Sequence, residues 1–305
     1  MAAPERTEHA VEIDGRRLKV SNLDKVLYPE VGFTKAEVID YYVRIAPVML
    51  PHIADRGVTL RRYPNGVEET SFFEKRCASH RPDWVHTFDG PGDRDGTIGY
   101  CALDSTAALA WAANLAALEI HAPMARGADI ESPTMCVFDL DPGPGTGIPE
   151  CAEVALDIRA VLDRLAGLEC VVKTSGSKGL QLYVPLNSPH RHEHCSSFAL
   201  AVAQVLEKHH PDRVTSVMKK AARPGKVFID WSQNSRHKTT VAVYSLRARP
   251  RPTVSTPVTW DEVDAAAAGG PLSFEAAAVL ARVAELGDLF APALEMEQSL
   301  PEAKG

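Results

Sequence analysis

Val137-Phe138-Asp139-Leu140-Asp141-Pro142-Gly143 decides how this chain of 305 residues is read. From Met135 to Asp141 the residues alternate as in a half-buried strand, and Pro142-Gly143-Pro144-Gly145 stops it. A strand's period of two puts the carboxylates of Asp139 and Asp141 on one face. Adjacent carboxylates repel unless a cation lies between them, and hard divalent ions such as Mg²⁺ and Mn²⁺ take oxygen ligands. A pair of ions held by shared carboxylates can align an in-line phosphoryl transfer. The plainer alternative is that D-x-D caps a strand beside a turn. Asp230 tips the balance toward metal: it ends a second apolar run, Val227-Phe228-Ile229-Asp230-Trp231, and is the only acid between Arg213 and Arg251.

Working outward, β-like runs alternate with amphipathic helices, which marks a mixed α/β or α+β chain. Thr34 with Glu37 forms a T-x-x-E capping box, opening a helix with Val38, Ile39, Tyr42, Ile45 and Met49 on one face. Pro47 and Pro51 are expected to end it, and a short helical turn is expected after Ser21. Extended runs are predicted at 58–63 and 71–75, a Gly/Asp-rich loop at 89–96, and a helix at 105–118 leading into Glu119-Ile120-His121. Beyond the D-x-D run come a helix at 151–165, strands at 170–174 and 180–185 around a Gly-rich turn, and a helix at 195–208. Strands at 226–231 and 239–245 follow, and Thr259 with Glu262 caps the penultimate helix.

Composition bounds the function. Hydrophobic residues at 45% and charged residues at 24% describe a globular chain with a sizeable core, which excludes a fibre or a disordered tail. The longest apolar stretch, 107–118, contains Asn114 and is shorter than the ~20 residues a bilayer demands. The charged N-terminus has no apolar leader, so a cytoplasmic protein with no membrane partner is expected. Cysteines 77, 101, 136, 151, 170 and 195 show no CxxC pair or framework spacing, and reduced thiols are expected. The net charge of −7 taken whole disfavours a polyanion, but it is unevenly spread. Between Arg213 and Arg251 ten Lys or Arg face one acid, a local +9, which leaves −16 on the remainder. Such a polarised chain can bind a polyanion through one face, although a solvated rim is the commoner meaning of a charge run.

Other segments carry paired readings. Ser175-Gly176-Ser177-Lys178-Gly179 joins two predicted strands and is either an anion nest or a plain hairpin turn; it is not a Walker A loop, since a strand and not a helix follows. Gln233 and Arg247 lie at neighbouring strand ends within reach of a phosphate. Phe72-Phe73 is either a base-stacking platform or a pair with one ring in the core. Asn22, Lys25 and Lys35 flank two predicted helix N-termini, where lysines are electrostatically misplaced unless an anion binds. His190, His192, His194 and Cys195 are zinc-ligand types, though a histidine-rich exposed loop is the simpler account. His121 is a core histidine by default.

These segments together resemble the polymerase domain of the bacterial end-joining ligase D, a branch of the archaeo-eukaryotic primase superfamily. The resemblance runs from about residue 11 to 292. It rests on Asn22-Leu23-Asp24-Lys25-Val26-Leu27-Tyr28-Pro29, Arg62-Tyr63-Pro64-Asn65-Gly66, Phe72-Phe73-Glu74-Lys75, Ala117-Leu118-Glu119-Ile120-His121, the D-x-D run, Thr174 to Leu180, and Lys226 to Asn234. It implies an α+β primase-polymerase fold, a central and largely antiparallel sheet flanked by helices. It also implies a catalytic domain at 11–292 between a tail at 1–10 and a tail or linker at 293–305.

The implied activity is metal-dependent addition of nucleotides, ribonucleotides preferred, to DNA ends and gaps during double-strand-break repair, with two Mn²⁺ or Mg²⁺ ions and nucleoside triphosphates as substrates. By the same resemblance Asp139, Asp141 and Asp230 hold the metals. His121, Ser175, Lys178, Gln233 and Arg247, with Arg62 and Phe73, contact the nucleotide. Phe72 stacks near the templating base, Asn22, Lys25 and Lys35 take the 5′-phosphate of a downstream strand, and Arg223 is a mobile-loop arginine. A Ku-like protein and an ATP-dependent DNA ligase, in cis or in trans, are the implied partners. One position departs: Gln181 stands where the family usually has His after Gly-Leu, and Gln cannot become a cation. No Lys-x-Asp-Gly ligase signature occurs, so a stand-alone polymerase or one domain of a longer protein is expected. A non-catalytic DNA-end bridging or nucleotide-sensing module is the alternative, and a nuclease using the same metals is third.

Overall fold

The computed structural model describes residues 8–92 and 96–301. A hairpin of β1 (Glu8–Ile13) and β2 (Arg16–Ser21) leads through β3 (Val26–Tyr28) and β4 (Phe33–Thr34) into α1 (Lys35–Ile53). Next come β5 (Gly57–Arg62), β6 (Phe72–Glu74), β7 (Thr87–Pro91), β8 (Thr97–Ala102), α2 (Thr106–Asn114) and β9 (Ala117–Pro123). The second half holds β10 (Ala125–Arg126), β11 (Asp129–Pro133), β12 (Met135–Pro142), α3 (Ile148–Ala166), β13 (Val171–Thr174), β14 (Leu180–Pro185) and α4 (His192–His209). The described chain closes with β15 (Val214–Thr215), β16 (Val227–Asp230), β17 (Thr239–Val241), α5 (Trp260–Ala267), α6 (Ala276–Leu286) and α7 (Pro292–Glu295).

Two mainly antiparallel sheets organise the site. One, in the order β13-β14-β12-β16-β15, is antiparallel except for the β15–β16 pair. The other runs β17-β9-β5-β8-β7, with β6 also on β5, and is antiparallel throughout. Each has its own apolar core: α1 and α2 cover the second sheet, and α3, α4 and α5 cover the first. The sheets are stitched together by polar contacts, Lys173 Nζ to Val241 O at 3.1 Å and Tyr183 Oη to Thr240 Oγ1 at 3.0 Å among them.

Several expectations give way to tertiary packing. α1 continues through Pro47 and Pro51 to Ile53. A proline inside a helix costs ~3 kcal/mol, but Tyr41, Tyr42, Ile45, Met49 and Ile53 are all fully buried. At ~1.5–3 kcal/mol per large apolar side chain, that burial exceeds the cost of two prolines. The helix predicted at 105–118 stops at Asn114, because Ala116 takes a φ of +57° and the chain turns into β9. No helix follows Ser21; Asn22, at φ +53°, begins a turn closed by Lys25 N–H to Asn22 O at 3.1 Å. Of the run predicted at 239–245 only Thr239–Val241 pairs, and Tyr244 at φ +64° turns the chain away. The predicted loop at 89–96 begins as the end of β7, and 93–95 lie outside the described residues, as does most of the tail expected at 1–10. Residues 293–301, expected as a tail or linker, are docked: Gln298 N–H donates to Leu186 O at 2.9 Å and Leu300 is buried.

The cysteines divide as well. Cys77 and Cys101 form a disulfide across 24 residues, contrary to the expected free thiols, while 136, 151, 170 and 195 stay reduced. The pairing follows from topology, since Cys77 N–H donates to Gly99 O at 2.8 Å beside β8.

Candidate nucleotidyl-transfer site

Strand register brings the acids together. On β12, Asp139 lies opposite Asp230 of β16 on one side and opposite Gln181 of β14 on the other. Asp230 caps the tight turn Trp231–Asn234, its Oδ1 accepting from Ser232 N–H at 3.0 Å and Ser232 Oγ at 2.5 Å. Lys238 Nζ stands 3.7 Å from Asp230 Oδ2 and donates to Ser232 Oγ. Asp141, half-exposed, has Arg223 Nη1 at 3.9 Å, and the Arg223 guanidinium lies 3.8 Å over the Phe228 ring.

Burial, the Asp141 charge and the Asp230 charge together push the Asp139 carboxyl up to about 7. Burial and Asp230 raise Asp141 in the same direction. The cluster therefore carries more negative charge than its neighbours offset, and its donors are all carboxylate oxygens, which suits a hard divalent cation. Among the described residues no three His, Cys, Asp or Glu side chains already close into a cage. Asp230 is turned toward Ser232 and Asp141 toward Arg223, so both would rotate to share an ion.

A loop at the same sheet end offers the anion side. Ser175-Gly176-Ser177-Lys178-Gly179 links β13 to β14, and Ser175 Oγ accepts from the N–H groups of Ser177 (3.3 Å) and Gly179 (3.2 Å). Arg247 Nη1 donates to Ser175 O at 2.6 Å, Arg249 donates to Ser177 Oγ, and Lys178 is exposed beside them. A Cβ on Gly179 would stand 2.0 Å from Leu140 O, so only glycine lets this loop lie against the D-x-D strand. Gln233 follows Asp230 in the same turn, its Nε2 lying 3.4 Å from Asp230 Oδ2 and its side chain at the rim of a cavity.

Glu119, in the second sheet and 1% exposed, organises the facing wall. Its Oε2 accepts from His121 Nε2 at 2.9 Å, Arg247 Nε lies 3.2 Å from Oε1, and Ala248 N–H donates to Oε1 at 3.1 Å. Burial would raise this carboxyl, but the His121 hydrogen bond and the Arg247 charge hold it far below the usual carboxylate range. Burial lowers His121 despite the acid beside it, and its ring meets Phe73 edge-on at 5.5 Å. Phe72 and Phe73 are 44% and 55% exposed, so neither ring enters the core; Arg62 lies 5.3 Å over Phe72 and Arg61 5.1 Å over Phe73. Arg62 also pairs with Glu74 at 3.2 Å. A cavity of about 540 Å³ opens beside Phe73, walled by Phe88 and Tyr100 and rimmed by Lys75, Gln233 and Lys238.

Asn22, Lys25 and Lys35 meet on the turn before α1, where Lys35 N–H donates to Lys25 O at 2.8 Å. Lys25 Nζ donates to Asn65 Oδ1 at 2.8 Å, whereas Lys35, expected to face an anion, is buried with Nζ on Ser21 O at 2.6 Å. The histidine segment is neither a zinc cage nor an exposed loop. His192 begins α4 with its ring nitrogens 2.8 Å from Asn234 O and 3.0 Å from Ile130 O, and His190 and His194 hold the backbone of Leu300 and Pro301. Reading residues alone left out Glu119, Lys238, Tyr183 and Lys173. Lys238 entered only as one of ten cations, Glu119 only as a lone acid in the run 117–121, and Lys173 only as a lysine inside the apolar run 170–174.

The family model for the LigD primase-polymerase domain matches residues 34–290. The multifunctional non-homologous end joining protein LigD of Mycolicibacterium smegmatis is 49% identical over 278 residues, covering 90% of this chain and 36% of its own length. That of Pseudomonas aeruginosa is 34% identical over 247 residues, 81% of this chain and 29% of its own. The chain thus spans about a third of the length of the curated relatives it matches. The solved polymerase domain of Mycobacterium tuberculosis ligase D, in complex with DNA, superposes with a TM-score of 0.86 at 44% identity over 92% of this chain and 99% of that one.

Proposed function

Because the chain belongs to the LigD primase-polymerase domain family, we propose that it extends the 3′ ends of DNA at breaks and gaps, ribonucleotides preferred, with Mn²⁺ or Mg²⁺. One observation carries the reading: Asp139, Asp141 and Asp230 meet at one sheet end, with Asp139 raised to about 7 by burial and by the charges of the other two acids, against a loop of N–H groups and cations. Bound divalent ions would activate the primer hydroxyl and neutralise charge on the transferred phosphate. The chain's own part is positional. Ser175, Lys178 and Arg247 take the triphosphate, where the growing negative charge meets fixed donors. Glu119 keeps His121 and Arg247 turned toward it, and Gln233 reaches it from beside Asp230. Phe72 and Phe73, each under an arginine, offer faces for template and incoming base. Asn22 and Lys25 take a downstream 5′-phosphate on the turn that Lys35 braces through Ser21 O, and Arg223 leaves Asp141 when the site loads.

A Ku-like end binder and an ATP-dependent ligase are the partners this reading calls for. Among the described residues no helix is long and apolar enough to cross a membrane. The test is primer extension on a 5′-phosphorylated gap with each metal and each nucleotide type. The wild-type chain lengthens the primer, and Asp139→Ala with Asp141→Ala abolishes the product. DNA binding without any product would establish a bridging module, and a shortened primer a nuclease.

A further inference from the structure

Lys173 is 1% exposed, on β13, one strand away from the acids. Its ammonium has three acceptors from three segments: Gln181 Oε1 at 2.5 Å, Ser255 Oγ at 2.6 Å and Val241 O at 3.1 Å. Burial drives its pKa down, but three oxygen acceptors around Nζ and the Asp139 charge favour the protonated form. An ammonium only donates, so it dictates which end of the Gln181 amide faces it. Tyr183 Oη, 3.1 Å from the same oxygen, reinforces that choice. The amide cannot flip, and its Nε2 is left pointing at Asp139 Oδ1, 3.0 Å away.

We propose that Lys173 is a positioning residue that acts through Gln181: it locks the amide so that Gln181 donates to one oxygen of Asp139 and presents that carboxylate in the orientation a divalent cation requires. The proposal rests on the acids being cation ligands. It also accounts for Gln181. A neutral imidazole can accept from Lys173 on one nitrogen and donate to Asp139 from the other, but an imidazolium would have two donors facing an ammonium. Glutamine does the same work and never acquires the second charge.

Outer partners of metal ligands are typically worth 10–100-fold in metal affinity. Mn²⁺ alone is the probe, its free concentration read by electron paramagnetic resonance on the full chain, alongside kcat and nucleotide KM. Gln181→Met and Lys173→Met each weaken Mn²⁺ binding about tenfold and lower kcat, with nucleotide KM moving less than about twofold. Because lysine acts through glutamine, the double variant is no weaker than Gln181→Met alone. Gln181→His recovers most of what Gln181→Met loses. Lys173→Met leaves a hole in a polar network and can fail to fold; Gln181→Met keeps the ammonium on two acceptors and carries the test by itself. Wild-type Mn²⁺ affinity in folded Gln181→Met, or additive losses in the double variant, overturns the proposal. Asp139→Ala separates the two levels: if it too binds Mn²⁺ like wild type, the cation site itself is misassigned.

Discussion

Glu119 and Asp139 are both carboxylates inside the fold, one on each sheet, and their proton affinities move in opposite directions. Glu119 sits among His121, Arg247 and Arg61 and is held far down. Asp139 sits among Asp141 and Asp230 and is pushed up to about 7. Both are drawn away from water, Glu119 more completely than Asp139, and opposite neighbours separate a structural acid from one that waits for a partner. Glu119 already has its cations and spends its charge on orienting them. Asp139 has one amide donor and two like charges, so its charge is available to something that binds.

The largest effect comes from removing the waiting charge. Asp139→Asn should lower nucleotide addition about a thousandfold or more in single-turnover extension, the scale of lost transition-state electrostatics. The same change should stabilise the metal-free chain at pH 8. Asp139 is protonated in the fold up to about 7, so its contribution to stability is full below the unfolded value near 4 and is lost as pH rises through 7. Thermal melts without metal should therefore show Asp139→Asn above wild type at pH 8 and level with it at pH 4. A variant less stable at both would mean the cluster is not strained by its own charge.

Glu119→Gln probes the other side. It leaves Arg247 and His121 beside a neutral amide, and breaking such a buried pair costs about 3 kcal/mol in denaturant melts. Nucleotide KM should rise about tenfold, one lost charge-assisted contact at 1.4 kcal/mol per decade. Its pH dependence runs opposite to that of Asp139: a carboxyl held down in the fold stabilises above its unfolded value and is lost only in strong acid. An unchanged KM would show that Arg247 is held by Ser175 O alone.

Smaller effects concern binding. Lys25→Ala with Lys35→Ala should cut the preference for 5′-phosphorylated gaps by about tenfold in competition binding, one charge-assisted contact from Lys25 together with the brace that Lys35 gives its turn. Because Lys35 is buried on Ser21 O, Lys25→Ala alone is the cleaner arm, and undiminished discrimination in both moves the phosphate pocket elsewhere. Gap binding should weaken with added salt, but with a shallow slope. Of the ten cations between Arg213 and Arg251, six already have carboxylate partners: 213, 223, 236, 238, 247 and 251. A slope near ten would mean those pairs open on binding.

That count shows where sequence reading reaches and where it stops. Periodicity put Asp139 and Asp141 on one face, the capping boxes at Thr34 and Thr259 opened helices where expected, and Leu180–Pro185 formed as read. Those are local properties, set within a few residues. The β12–β16 register that sets Asp230 opposite Asp139 joins positions about ninety apart, and no local pattern encodes it. Isolation in a basic stretch singled out Asp230 as the third acid, but only the register shows which residue it faces. The Cys77–Cys101 bond, the continuation of α1 through two prolines and the pairing of the basic stretch all depend on neighbours from distant segments. Glu119 was overlooked because a lone acid in an apolar strand looks like noise until its cations are seen.

The approach of Gly179 to Leu140 makes the loop and the acid strand a single gauge. Any side chain at 179 would wedge them apart, and the wedge would lengthen the gap that a triphosphate must span between its donors and its cations. Heritable variation at this position should therefore be nearly absent in active chains. A surviving alanine would be recognisable by a shift in the preferred ion toward one of larger radius.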